Sequence, residues 1–188
     1  MVINMEKYIA LLRGINVGGN NIISMPVLRE AFEKAGFCDV STYINSGNIF
    51  FSSDDTGIEA LQLRCRQIIS ETFKLDIPVA VITPKDLAAA LNNAPEWWDK
   101  DKELKHNAIF IIPPANVEDI IKEVGEINPE YEQVGHHGQV VFWSAPLGLF
   151  SKTKWSKFVS TAASARSKIT IRNANTTKKL LQLSGKEE

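Results

Sequence analysis

The chain has 188 residues and carries 21 Lys and Arg against 22 Asp and Glu, so its formal net charge at pH 7 is −1. Its 44% hydrophobic and 23% charged residues exclude a largely disordered polymer and favour a globular protein with a hydrophobic core. Two isolated cysteines, no bilayer-length apolar run and no export-signal pattern predict a cytoplasmic protein without disulfides or membrane contact.

The first half of the chain is predicted to contain six elements. A β-prone apolar stretch ends in a loop of glycines and asparagines, and helical spacing of apolar residues then predicts two amphipathic helices. Gly47 can take the positive φ that a tight hairpin turn requires. The predicted elements are a strand at 8–15, a helix at 24–36, strands at 40–44 and 49–51 around a turn at 45–48, a helix at 58–73 and a strand at 77–82.

The second half repeats this order after a connector. A short helix at 86–91, the loop 92–95 and the charged run 99–105 are the most linker-like part of the chain. The same patterns then predict a strand at 108–112, a helix at 117–124, strands at 131–134 and 139–143 around a glycine-bounded turn at 135–138, a helix at 155–162, a strand at 169–171 and a closing helix at 176–183.

Both halves therefore have the order β-α-β-β-α-β. This is the split βαβ unit of ferredoxin-like folds, in which two helices cover one face of an antiparallel sheet. We predict an α+β protein with a duplicated architecture: a first ferredoxin-like subdomain at 1–83, a helical connector at 84–105, and a second ferredoxin-like subdomain with a C-terminal helix at 106–188.

Charge is distributed unevenly along the sequence. Residues 1–150 contain 12 Lys and Arg and 20 Asp and Glu, whereas residues 151–188 contain 9 and 2. Such a basic segment indicates either an anionic partner or pairing with the acidic part of the same chain, and both interpretations stay open.

Three motifs stand out: YIALLRGINVGGNN at 8–21, TYINSGN at 42–48 and TIRNANT at 170–176. With the pair Ser151-Lys152, they resemble the bacterial family called domain of unknown function 1697 (DUF1697). The resemblance implies a pair of ferredoxin-like subdomains and no established activity. Ala174 departs from the family pattern, in which an aromatic residue is common. The positions that match are Arg13, Gly14, Asn16, Gly18, Gly19, Ser46, Gly47, Asn48, Arg172, Asn173, Asn175 and Thr176.

The first motif combines an arginine, a glycine-rich loop and the start of a helix. Loop N–H groups and the positive end of a helix suit an anion such as phosphate, with Arg13, Asn16, Gly18 and Gly19 as candidate ligands. The spacing matches neither a P-loop nor a dinucleotide-binding fold. Alternatively, the glycines only permit a tight turn between strand and helix.

Polar residues of the other motifs complete the candidate ligand-binding set. Arginine and asparagine are strong phosphate and base-edge ligands, but asparagine is equally a helix N-cap, and a guanidinium can pair with a structural carboxylate. These candidates are Ser46, Asn48, Lys152, Arg172, Asn173 and Asn175.

The sequence identifies no catalytic group. Ser46 lacks a GxSxG context and a neighbouring base. His136 and His137 are predicted to lie in an exposed turn, Cys65 in the core, and no cluster has metal-ligand spacing. We therefore expect neither a metal nor a cofactor.

The leading hypothesis is a non-enzymatic protein that binds a phosphate-bearing ligand, either nucleic acid or a nucleotide. One alternative is an enzyme acting on a small phosphorylated or acyl substrate, with Arg13, Lys152 and Arg172 as electrostatic clamps and Ser46 or Ser151 near the chemistry. Another is a structural or interaction module whose motifs only fix turns.

Overall fold

The computed structural model describes residues 5–163 and 165–185. The chain divides into two compact units, of which the first comprises, among the described residues, those up to Lys85 together with those from Leu180 onward. The second unit is Asp86–Lys179, so most of the predicted connector belongs to it. Each unit contains one four-stranded antiparallel sheet.

The first unit has the predicted order of elements. Its sheet has the strand order β2-β3-β1-β4, with β1 paired antiparallel to both β3 and β4. Both helices lie on one face of this sheet, as the ferredoxin-like arrangement requires. The elements are β1 (Glu6–Leu12), α1 (Met25–Lys34), β2 (Cys38–Tyr43), β3 (Asn48–Ser53), α2 (Ile58–Phe73) and β4 (Val79–Ile82).

The first core forms between the sheet and the two helices because apolar residues recur with the period of each element. Alternate residues of β1, namely Tyr8, Ala10 and Leu12, face the helices. From α1, Leu28 and Phe32 meet them at helical spacing. This packing fixes the loop between β1 and α1 at one end of the sheet.

The second unit repeats the same wiring. Its sheet has the order β6-β7-β5-β8, again with all neighbours antiparallel, which confirms the predicted pair of ferredoxin-like α+β subdomains. After α3 (Pro84–Asn92), the elements are β5 (Leu104–Ile111), α4 (Val117–Val124), β6 (Gln133–His137), β7 (Val140–Pro146), a 3₁₀ helix (Leu147–Lys152), α5 (Lys154–Thr161), α6 (Ala165–Lys168), β8 (Ile169–Asn173) and α7 (Ala174–Ser184).

The predicted position of the second hairpin turn is wrong. Gly135, His136 and His137 belong to β6, and the turn consists of Gly138 and Gln139 alone. A Cβ at position 135 would lie 2.6 Å from Pro95 Cγ. This glycine therefore permits a close approach inside a strand, where the sequence pattern had indicated a chain reversal.

No helix within residues 5–163 and 165–185 is long and apolar enough to cross a membrane.

Candidate functional site

The glycine-rich loop between β1 and α1 forms a small protruding hairpin, residues 16–21, which we call the finger. The Asn16 N–H donates to Asn21 O (3.2 Å) and the Asn20 N–H donates to Val17 O (3.1 Å). Gly18 and Gly19 have φ of 58° and 78°, the left-handed pair that a two-residue turn requires. The finger is therefore a defined structure with both glycines exposed at its tip.

The side chain of Asn16 holds the base of the finger. Its Nδ2 donates to Ile23 O (3.0 Å) and to Asn45 O (3.0 Å), and its Oδ1 accepts the Ile23 N–H (2.8 Å). One amide thus joins the finger to the start of α1 and to the turn between β2 and β3. The Asn16 side-chain amide therefore has a structural role at the base of the finger.

The turn between β2 and β3 is tied to the same strand. The Leu12 N–H donates to Gly47 O (2.8 Å), and a Cβ at position 47 would lie 2.7 Å from Leu12 Cβ. Asn48 is fully buried and its Nδ2 donates to Tyr43 O (3.0 Å) and to Ser46 Oγ (3.1 Å). The structure therefore brings the first two motifs together. Within the second motif, the side chains of Asn48 and Ser46 are hydrogen-bonded to each other.

An open cleft of about 490 Å³ lies between the finger and the N-terminus of α1. Ser24 occupies the N-cap position, but its exposed hydroxyl does not cap the helix. The N–H groups of Gly19 and Met25 have no acceptor among the described residues. No charged side chain of the described chain lines this cleft, whose lining residues are Asn16, Gly19, Ile22, Ile23, Ser24, Met25, Pro26 and Asn45.

Arg13 does not line the cleft. It is half-buried, and its N–H donates to Pro78 O (3.0 Å), which continues the pairing of β1 with the chain that enters β4. The predicted grouping of Arg13 with Gly18 and Gly19 is therefore not found in the cleft itself.

The third motif lies at the end of β8 and the start of α7. Asn173 caps α7, since its Oδ1 accepts the Thr176 N–H (2.8 Å), and Asn175 is exposed on the first turn. Arg172 is buried, and its Nη1 donates to Thr170 Oγ1 (3.1 Å) and Ile171 O (2.7 Å). Burial lowers the pKa of the Arg172 guanidinium to about 10.

Lys152 is exposed at the end of the 3₁₀ helix, just before α5. The N-terminus of α5 already holds an anion, because the buried Glu132 carboxylate accepts the N–H groups of Lys154 (2.9 Å) and Trp155 (3.0 Å). Glu132 is a helix-capping residue that no sequence motif identifies. The signal in the sequence is an acidic residue inside a stretch that is predicted to be a strand. The structure shows that this carboxylate caps the N-terminus of a helix that begins 22 residues later.

Part of the basic C-terminal segment is paired within its own unit. Lys168 Nζ lies 3.1 Å from Glu123 Oε2, and Lys178 forms an ion pair with Asp99. The second unit as a whole carries 12 Lys and Arg and 11 Asp and Glu. The charge asymmetry of the sequence is thus much reduced in the folded unit.

Among residues 5–163 and 165–185, no group of three His, Cys, Asp or Glu side chains is placed to hold a metal ion. The paired histidines lie on β6, where consecutive side chains point to opposite faces of the sheet.

Comparison with known proteins identifies the family and the fold of the chain. The family described as "Protein of unknown function (DUF1697)" matches residues 5–142. The solved structure of the conserved bacterial protein SP0830 from Streptococcus pneumoniae is similar to this chain, with 31% sequence identity and a TM-score of 0.82 over 96% of this chain and 99% of that one. No curated protein matches the chain significantly. With nearly three quarters of its length matched and the same fold throughout, the chain belongs to the DUF1697 family.

Proposed function

We propose that this protein is a non-catalytic binding protein that holds the phosphate group of a nucleotide in the cleft between the finger and α1. The observation that supports this is that three residues with unused donors line one open space. Gly19, Ser24 and Met25 all line the cleft, and the Gly19 N–H, the Met25 N–H and the Ser24 hydroxyl neither cap a helix nor pair within the described chain.

The positive end of α1 adds an electrostatic contribution. A helix terminus carries about half a positive charge, and unpaired N–H groups there bind anions without a cationic side chain. Because the cleft lining is neutral, we expect a small dependence of affinity on salt. Nucleic acid binding would instead release many counterions and fall steeply with salt, so the cleft favours a mononucleotide.

The composition of the cleft also supports binding without catalysis. Ser24 is the hydroxyl residue among the lining residues, and no His, Asp, Glu, Lys or Cys of the described chain lines the cleft with it. A serine nucleophile needs a positioned base, and a general acid or base needs a titratable group within hydrogen-bond reach.

Ser24→Asp tests the site directly. The carboxylate can cap α1 and occupy the position proposed for the phosphate, so the variant should keep its stability and lose binding of adenosine monophosphate. Ser70→Asp is the matched control, because Ser70 is also an exposed serine of the first unit but lies on α2. Calorimetric titration of both variants decides. Equal affinity for the nucleotide in Ser24→Asp and Ser70→Asp would contradict the proposal.

A second candidate function, protein interaction through the finger, is favoured by exposed apolar side chains. Val17 is 64% exposed, Ile22 73% and Ile44, beside the finger's attachment, 48%. Ile44 also has a φ of 49°, a costly conformation for a β-branched residue and one that concentrates at functional sites. Self-association is the simplest test. Sedimentation equilibrium should show weaker association for Val17→Ser/Ile22→Ser, while unchanged association would remove the finger as an interface between copies.

A further inference from the structure

Two buried donors in the second unit have no acceptor. Asn107 on β5 is 4% exposed and Trp143 on β7 is 1% exposed. Neither Asn107 Nδ2 nor Trp143 Nε1 has a hydrogen-bond partner among the described residues. Native proteins rarely bury a donor without an acceptor, because the group gives up its hydrogen bond to water and gains nothing in return.

The two residues that carry these donors are neighbours on one face of the sheet. The strand register places Asn107 directly opposite Trp143, and residues so paired point to the same side with their Cβ atoms about 5 Å apart. Trp143 belongs to the core that packs under α4 and α5, as does Ile109, two residues beyond Asn107. Both donors therefore lie in the layer between sheet and helices.

The edge of this layer carries an aromatic cover and a cation. The ring of Phe150, in the 3₁₀ helix, lies 4.5 Å from the Trp143 ring. Lys105 Nζ lies 4.2 Å from the centre of the Phe150 ring. Lys105 precedes Asn107 by two residues, so it lies on the same face, and it is exposed.

We propose that Asn107 and Trp143 form a binding site for the carboxylate of a small organic acid, closed by Phe150 and attracted by Lys105. Two N–H donors select an acceptor, and a nearby ammonium favours an anionic one. A buried water fits less well, because its own hydrogens would need acceptors. The buried acceptor Gln133 Oε1 does not provide one here, since Gln133 pairs with Ser144 in the next row and points to the opposite face. This site is separate from the cleft beside the finger.

Indole N–H resonances test the proposal on the full chain. Four tryptophans give four indole signals, and Trp143→Phe identifies the one from Trp143. Titration with acetate should move that signal downfield to saturation, whereas acetamide, of equal size but neutral and with donors of its own, should move it little. Lys105→Met should weaken the acetate response severalfold.

Asn107→Leu provides the decisive variant. Leucine removes one donor and keeps a side chain of similar shape, so the affinity for acetate should fall about tenfold. The stability of the variant in carboxylate-free buffer should be kept or raised, because one fewer unpaired donor is then buried. The Trp98 indole reports intact folding, because its Nε1 donates to the backbone O of residue 107 (3.0 Å). The proposal is overturned if the Trp143 indole chemical shift does not change with acetate, or if it changes equally with acetamide. It is also overturned by a loss of stability in carboxylate-free Asn107→Leu, which would mean that water already satisfies the amide.

Discussion

Gly47→Ala is expected to destabilise the first unit strongly, because it would introduce both backbone strain and a steric clash. Gly47 has a φ of 82°, and an L side chain in the left-handed region costs about 1–2 kcal/mol. Its Cβ would also lie 2.7 Å from Leu12 Cβ and 2.9 Å from Ile15 Cδ1. Overpacking of this kind adds roughly 1–3 kcal/mol. The sum, about 2–5 kcal/mol, is a large part of the roughly 5–15 kcal/mol that stabilises a typical domain.

Gly14→Ala is the matched control. Gly14 has a φ of 62°, but its Cβ would meet nothing within 4 Å, so this variant should lose only the backbone cost. Urea unfolding should be followed by far-UV circular dichroism, because all four tryptophans lie in the second unit and fluorescence would not report on Gly47 directly. Equal losses in the two variants would refute the packing argument and leave only the φ contribution.

Three further measurements follow from buried or paired groups. Glu132→Gln should lower the free energy of unfolding by about 1–2 kcal/mol, because the α5 N-terminus loses its buried anion; an unchanged urea midpoint would contradict this role. Burial raises the pKa of the Cys65 thiol to about 12, so a thiol reagent near pH 8 should label only the exposed Cys38 until the protein unfolds, and early labelling of both would disprove the packing. The hydrogen bond from Arg66 lowers the pKa of Asp76 in the folded protein. The stability that this ion pair contributes is therefore fully present above the pKa of Asp in the unfolded chain, and it is lost as pH falls through the lower pKa of the folded state. Asp76→Asn should flatten the acid side of the stability profile below about pH 4, and an unchanged profile would show that the pair adds nothing.

The order of elements could be predicted because local patterns decide it. The stripe at Leu61, Cys65 and Ile69 has helical spacing, and α2 buries that face. The hairpin around Gly47 was found because a glycine is needed where φ is positive. At Gly135 the same rule gave a wrong turn, since what requires a glycine there is Pro95, forty residues earlier in the chain. A single-sequence pattern contains no information about such a contact.

The candidate site was predicted in part for the same physical reason. Glycines and asparagines indicated a loop where the finger lies and a hairpin turn at 45–48. The hydrogen bond from Asn16 Nδ2 to Asn45 O spans 29 residues and is visible only in the structure. The juxtaposition of the unpaired donors at Asn107 and Trp143 likewise depends on strand register, and the capping of α5 by Glu132 depends on contacts between residues 22 and 23 positions apart. Side-chain partners across a sheet cannot be derived until the register is known.

The motif residues of the first unit divide into those that build the loops and those that are free to bind. The side-chain amides of Asn16 and Asn48 form hydrogen bonds that hold the finger and the turn in place. Gly47 permits the same arrangement because a side chain there would collide with its neighbours. Gly18 and Gly19 are exposed at the tip, and Gly19 alone of these five also borders the cleft with an unused N–H. A binding loop needs this division, because a rigid base lowers the entropy that a ligand must remove from the tip. The residues that make the motif recognisable are thus mostly those that position the site. Apart from the Ser24 hydroxyl, the groups proposed to contact a ligand are backbone N–H groups, which a sequence motif specifies only through the conformation that it imposes.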